Sequence, residues 1–323
     1  MKVDAATGQT VDVFNTNKDL RLMPQYQCGD YYLEHLCGRP MAMQFDKDGL
    51  RLIVLDAYKG LLSINLEENT FEYLTREVNG DSFKFLHSMA VSQSTGRIYF
   101  TESSTRVVRR EYMSEILEAR GRGRLLVFDP ASLSTSVLAT KLRFPSGLVV
   151  QEADGEDVAL IFSETSRGRV RKCNLKFSRR EEPTCSVPKT FAEAGLPCLP
   201  GDLTWEQDSR SLWVGCALPR SPLYQAISNS PVLRQTLGSF RSDLAELLFK
   251  VGADSPALAR LSSKGKVTAV LEDTAANSGC MYRTQPLSPV SDQDAKDGDA
   301  YKVLLTCPHT SVSSPWVAEL GTK

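Results

Sequence analysis

No run of 18 apolar residues occurs in this chain, so nothing reads as a membrane-spanning helix, and no signal peptide is visible. Histidine is scarce, with 3 in 323 residues, and His35, His87 and His309 form no metal-spaced motif. The 8 cysteines include no CxxC pair, which argues against zinc and thioredoxin-type chemistry. No GxSxG surrounds any serine, so a serine hydrolase of the nucleophile-elbow type is not expected. There is no N-x-S/T sequon either. With 38 basic and 39 acidic residues the net charge is −1, which leaves no electrostatic footprint for nucleic acid. What remains is an ordinary globular composition, 41% hydrophobic and 24% charged, able to bury a large core as one all-β unit.

Short strands separated by turns fill that chain. Residues 83–130 write one unit in full. Met89 and Val91 lead through the turn SQSTG to Ile98-Tyr99-Phe100, and Leu125-Val127-Phe128 then returns after Asp129-Pro130 through Ser136–Ala139. This is a four-stranded antiparallel meander, and it recurs. Apolar strands, read as the inner strands of their blades, occur at Leu52–Leu55, Ile98–Phe100, Leu160–Phe162, Leu212–Val214 and Val303–Leu305. Most are preceded by a small-residue lead-in: PMAMQF at Pro40, HSMAV at His87, PSGLVV at Pro145 and PGDLTW at Pro200. Many are followed by an acid, as at Asp56, Glu102 and Glu164. Lys2–Val13 reads as the outer hairpin of one more repeat, whose inner half would lie before an artificial or truncated start. Five repeats plus a half predict a six-bladed β-propeller over residues 1–323, its first blade incomplete, since a closed ring leaves few open strand edges.

Insertions account for the uneven spacing. Tyr112–Ala119 has apolar residues at helical intervals, and residues 219–251 form a second helix-like insertion placed to cap one face of the ring. Residues 287–299 are polar and read as a loop. Cys28 with Cys37 and Cys173 with Cys185 are near enough in sequence to pair, connectivity remaining open, while Cys216 and Cys307 read as buried thiols. Arg106, Arg109 and Arg110, and separately Arg120, Arg122 and Arg124, read as solvated loop charges.

FKFLHSMAVSQSTGRIYFTESST, RREYMSEILEARGRGRLLVFDP, CGRPMAMQFD, VLDAYKGLLSI, SETSRGRVRK and LWVGCALPRSPLYQAI together resemble the strictosidine synthase family, and within it the animal, adipocyte plasma membrane-associated branch. The resemblance spans nearly the whole chain. It implies a six-bladed propeller and a secretory or membrane-anchored setting, with any membrane anchor outside this chain. The plant synthase condenses an amine with an aldehyde using one late glutamate, whose pKa burial raises toward a useful range. The matching region here, residues 278–285, holds no carboxylate, and Tyr282 or Arg283 would need another mechanism. True synthase (carbon-nitrogen lyase) activity is therefore not expected. Related propellers hold calcium in the tunnel and hydrolyse aryl esters or lactones. The corresponding positions here are His87-Ser88, Ser146-Gly147 and Gly201-Asp202. Asp202 with Ser146 would bind calcium only weakly, because affinity follows ligand charge and number.

Several residues carry two readings. His87 is a proton acceptor at the tunnel mouth, or a hydrogen-bonded histidine at a strand start. Glu102, with Glu164 and Asp56, rings the tunnel as an amine or cation site, or hydrogen-bonds strand-end amides between blades. Ser88, Ser146, Glu164 and Tyr282 are the candidate ligand contacts. The function expected is a propeller that takes a small molecule into its central tunnel without strictosidine synthase activity and without a firmly bound cofactor. An ester or lactone hydrolase and an amine-aldehyde condensing lyase are the alternatives.

Overall fold

The computed structural model describes residues 2–3, 10–12, 16, 31–178, 181–220, 222–228, 230–239, 257–272, 283–286, 301–306 and 316–320. Their strands form antiparallel meanders arranged as a β-propeller. Sheet I runs Pro40–Phe45, Leu52–Asp56, Gly60–Asn65, Thr70–Thr75, and sheet II runs Phe85–Val91, Ile98–Ser104, Gly123–Asp129, Ser134–Leu142. Sheet III is Pro145–Ala153, Glu156–Glu164 and Arg169–Ser178, whose outer edge pairs with both Glu181–Cys185 and Lys189–Ala192. Sheet IV is Cys198–Glu206, Ser211–Pro219, Ala257–Leu261, Val267–Glu272, and sheet V is Arg283–Pro286, Tyr301–Thr306, Trp316–Leu320. Lys2–Val3 pairs with Thr10–Asp12, the hairpin read from the N-terminal sequence. Gly96 closes the SQSTG turn at φ +76°, a conformation that costs glycine nothing.

The first strand of each sheet meets the first strand of the next, so these strands line the central channel. The most apolar strands, expected to be innermost, are instead the second of each sheet. Ile98–Ser104 is buried along its whole length, and Leu212, Trp213 and Val214 are at most 1% exposed. The reason is burial on both faces: a second strand is covered by the sheets on either side, whereas a first strand also presents side chains to the channel. Two core clusters record this packing of sheet on sheet. Ile53, Leu55, Leu86, Phe100 and Phe128 join sheets I and II, and Tyr99, Val127, Leu160, Phe162 and Cys173 join II and III.

Helices cover one end of the sheets. α1 (Glu34–Cys37) precedes sheet I, while α2 (Tyr112–Glu118) interrupts sheet II where the spacing of apolar residues placed a helix. α3 (Pro222–Ser228) and α4 (Pro231–Gly238) occupy the second insertion, whose remainder falls outside the described residues. Met113, Ile116 and Leu117 of α2, Tyr224 and Ile227 of α3, and Phe85, Phe144 and Leu199 from the starts of first strands form one apolar cluster. The insertions therefore cap the end at which the channel strands begin.

Candidate functional site

A β-bulge at the same place in successive first strands shapes the channel. Pairing slips between Leu86 and Met89, between Pro145 and Leu148, and between Pro200 and Leu203. A bulge sets two residues against one and re-aims their side chains. The slipped pairs are His87-Ser88, Ser146-Gly147 and Gly201-Asp202, the positions at which the resemblance placed ligands. Gly147 is required there by contact: a Cβ would lie 2.4 Å from the Gly201 carbonyl oxygen and 2.5 Å from the Leu203 nitrogen.

Below the bulges lies a cavity of about 460 Å³. It is lined by the later halves of the first strands of sheets I to IV, the halves away from the helical cap. Ser88 and Asp202 stand among its lining residues, with Ser88 Oγ donating to Asp202 Oδ1 at 3.5 Å, and both are buried. Met89, Leu148, Val149 and Leu203 make apolar walls, and Gln44, Gln93, Thr204, Trp205 and Gln207 supply polar groups. Glu152 also lines it, but its carboxylate is engaged: it accepts from the Gln93 and Ser94 amides at 2.9 and 3.0 Å and from Ser94 Oγ at 2.5 Å. Asp157 fixes the same turn, accepting from Ser92 Oγ, Thr95 Oγ1 and Tyr99 Oη at 2.5, 2.7 and 2.7 Å. Burial and the adjoining carboxylate push the Tyr99 phenol up.

The remaining candidates sit elsewhere. His87 is 6% exposed and lies between the Phe85 and Phe144 rings, with centroids 5.7 and 5.8 Å away, under the helical cap. Ser146 faces the junction between sheets: its hydroxyl lies 2.7 Å from Ser163 Oγ and from Thr165 Oγ1 and 3.3 Å from the Gly201 carbonyl. Glu102 accepts from the Lys84 amide at 2.9 Å and pairs with Arg124 at 2.6 Å. Glu164 does the same with the Arg143 amide at 2.9 Å and Arg169 at 2.7 Å. Burial pushes the Glu102 carboxyl above the usual glutamate value, against the pull of the Lys84 amide and of Arg124. Asp56 is raised by burial too, opposed by amides including those of Tyr58 and Lys59. These acids tie their sheets together instead of facing the cavity. Tyr282 lies outside the described residues.

Hydroxyls flanking the acids join one sheet to the next. Alternation along a strand puts residues i and i+2 on one side. In Thr101-Glu102-Ser103 the hydroxyls donate to the Ser146 and Pro145 carbonyls at 2.9 and 2.7 Å. In Ser163-Glu164-Thr165 they donate to the Gly201 and Pro200 carbonyls at 2.6 and 2.8 Å. The equivalent triplet of sheet IV is Gly215-Cys216-Ala217, and there Cys216 bonds to Cys198 across the first two strands. Cys216 is thus not the free thiol expected from its apolar strand; its register partner is Pro200, and Cys198, two residues earlier on the same neighbouring strand, comes within 5.5 Å between Cα atoms, which the sequence alone does not reveal. The Cys173–Cys185 pair forms as its spacing suggested, and Cys37 is also disulfide-bonded. Cys307 lies outside the described residues.

The arginine-rich loops are likewise not simply solvated. Arg109 is 6% exposed and its Nη1 donates to both carboxylate oxygens of Glu34 at 2.7 and 3.0 Å, while Arg122 holds Glu115 at 3.0 Å and Glu118 at 2.7 Å. As for calcium, the described donor set fits it poorly: Asp202 is the carboxylate at the bulges, Glu152 is taken up by the Gln93–Ser94 turn, and the Ser146 hydroxyl is engaged between sheets. Among the described residues no three or more His, Cys, Asp or Glu side chains converge as metal ligands would. Gln44, Thr204 and Gln207 were missed from sequence. Their only signal was polarity at the far ends of the channel strands.

Comparison with known proteins agrees with this architecture. Residues 87–177 match the strictosidine synthase family model. Protein STRICTOSIDINE SYNTHASE-LIKE 3 of Arabidopsis thaliana is 29% identical over 268 residues, 82% of this chain and 63% of that protein. The human adipocyte plasma membrane-associated protein is 32% identical over 192 residues, 58% of this chain and 43% of its own length. The matches thus span less than two thirds of either relative. Among solved structures, a calcium-binding protein, regucalcin, from Agrobacterium tumefaciens superposes with a TM-score of 0.53 at 12% identity, covering 89% of this chain and 78% of that one. At that identity the likeness concerns the fold. No helix among the described residues is long and apolar enough to cross a membrane.

Proposed function

From the premise of a strictosidine synthase-like chain, we propose that this propeller binds a small molecule in its central channel and does not carry out the synthase condensation. The observation that carries the reading is the Ser88–Asp202 pair in a cavity of about 460 Å³ whose walls combine apolar side chains with glutamine and threonine groups. Such a pocket suits a compact apolar body with a cationic or hydroxylated end directed at the carboxylate. The carboxylates that could have served as a base, Glu102 and Glu164, are held by arginines and amides within their sheets. The late region that matches the synthase glutamate has none in its sequence.

The test is a ligand panel of arylalkylamines, aryl alcohols, esters and lactones, followed by calorimetry on the wild type and on Asp202→Asn. Binding weakened about tenfold in the variant for amine ligands is the expected result, as loss of a charge-assisted contact requires. Ligands bound equally well by Asp202→Asn would sink the proposal. Condensation product from an arylethylamine and an aldehyde, detected by mass spectrometry, would replace it with the lyase reading. Ester or lactone turnover abolished by a chelator would replace it with the hydrolase reading.

A further inference from the structure

A second feature lies at the capped end, away from the cavity. Four chain segments converge on the turn Thr165–Arg167. Tyr224 Oη of α3 and Arg234 Nη2 of α4 both donate to the Ser166 carbonyl at 3.1 Å. Arg220 donates to the Gly168 carbonyl. The Thr165 amide donates to the Phe144 carbonyl at 3.1 Å, bringing Arg143 alongside. Phe144 has φ +54°, rare for an aromatic residue, and its ring is wedged against Phe85 and His87, so the backbone beside Arg143 is held by packing.

The charges there do not balance. Glu164 faces Arg169 at 2.7 Å and Arg171 at 3.6 Å, so the carboxylate on this turn already serves two cations. Arg220 and Arg234 are directed to backbone oxygens. The guanidiniums of Arg143, half-buried, and Arg167, exposed, make no hydrogen bond or ion pair among the described residues. The buried Ser166 hydroxyl has no partner among them either. The cost of this crowding is visible in the arginines. Burial, then Arg167, hold Arg143 below the ordinary guanidinium value, with Glu164 opposing; burial likewise lowers Arg234, helped by Arg167 and Arg143 and opposed by Tyr224. A cluster of like charges held by a rigid frame is stabilised by an anion, and planar guanidiniums match a tetrahedral oxyanion with paired donors.

We propose that Arg143 and Arg167, backed by Arg220 and Arg234, form a binding site for a phosphate group, separate from the channel pocket and independent of what the channel binds. The phosphate could be carried by a soluble phosphomonoester or by a lipid headgroup, and two arms of one experiment separate them. In the first, calorimetry at low ionic strength titrates inorganic phosphate, and chloride at matched ionic strength, into the wild type, Arg143→Gln, Arg167→Gln and the control Arg106→Gln. In the second, flotation compares vesicles of phosphatidylcholine with vesicles containing phosphatidic acid for the same proteins. Binding in either arm that falls about fivefold to tenfold in Arg143→Gln and Arg167→Gln, and not in Arg106→Gln, is expected; the arm in which it occurs assigns the source. No binding in both arms, or binding that all four proteins share, overturns the proposal. Arg167 is exposed and without described contacts, so its substitution leaves folding intact and keeps the test decisive even if Arg143→Gln misfolds.

Discussion

At the scale of single residues, the acids at or near the ends of the second strands decide between chemistry and architecture, and Glu102 is the clearest. Its side chain is fully buried and shared between Arg124 and the Lys84 amide. Burial is nevertheless the largest influence on it and raises its pKa in the folded protein. The folded state then binds the proton more tightly than the unfolded chain, so this group favours folding most at low pH and progressively less as pH rises above the ordinary carboxylate range. Thermal unfolding of the wild type and Glu102→Gln between about pH 4 and pH 7 should show the wild type losing ground to the variant as pH rises. A wild-type advantage that grows with pH would mean that Arg124 outweighs burial. From sequence, both readings of Glu102 and Glu164 were open, because alternation says which side of a strand a residue takes but not what waits there. Asp202 and Ser88 could be singled out because the resemblance marks the bulge positions. Arg143 and Arg167 could not, since their isolation depends on which other arginines find partners.

The informative element is the second strand with its hydroxyl-acid-hydroxyl triplet. Ser163 and Thr165 donate to carbonyls of the neighbouring sheet's first strand at 2.6 and 2.8 Å, entirely out of water. Removing either hydroxyl leaves a buried carbonyl underserved, at about 1–3 kcal/mol each. Denaturant unfolding of Ser163→Ala, Thr165→Ala and the double variant should show each single loss, with a double loss that departs from their sum because both hydroxyls also meet Ser146. Unchanged stability in both single variants would show that the sheets hold together by apolar packing alone. The strands themselves were legible, since runs such as LIVLD and ALIF can only be two-sided interior. Their rank from the channel was not, because apolarity reports how much of a strand is covered and not its distance from the axis.

For the whole molecule, stability is shared between hydrogen bonds that join one sheet to the next and covalent links within sheets. Cys198 and Cys216 have Cα atoms 5.5 Å apart and enclose a separation of 18 residues, a loop for which crosslinking contributes about 3 kcal/mol in the chain-entropy account. A Cys198→Ala, Cys216→Ala variant should melt several degrees below the wild type, and the variant should respond less than the wild type to a reductant; equal melting temperatures would assign the bond no part in stability. The disulfides fit folding in an oxidising compartment. The triplets carry one more implication. Their hydroxyls grip the main chain of the adjoining channel strand, so the grip is indifferent to the side chains that strand displays. Polar channel residues such as Ser88, Asp202 and Thr204 can therefore change while the sheets stay joined, which makes this scaffold a receptacle whose contents can be rewritten without rebuilding its frame.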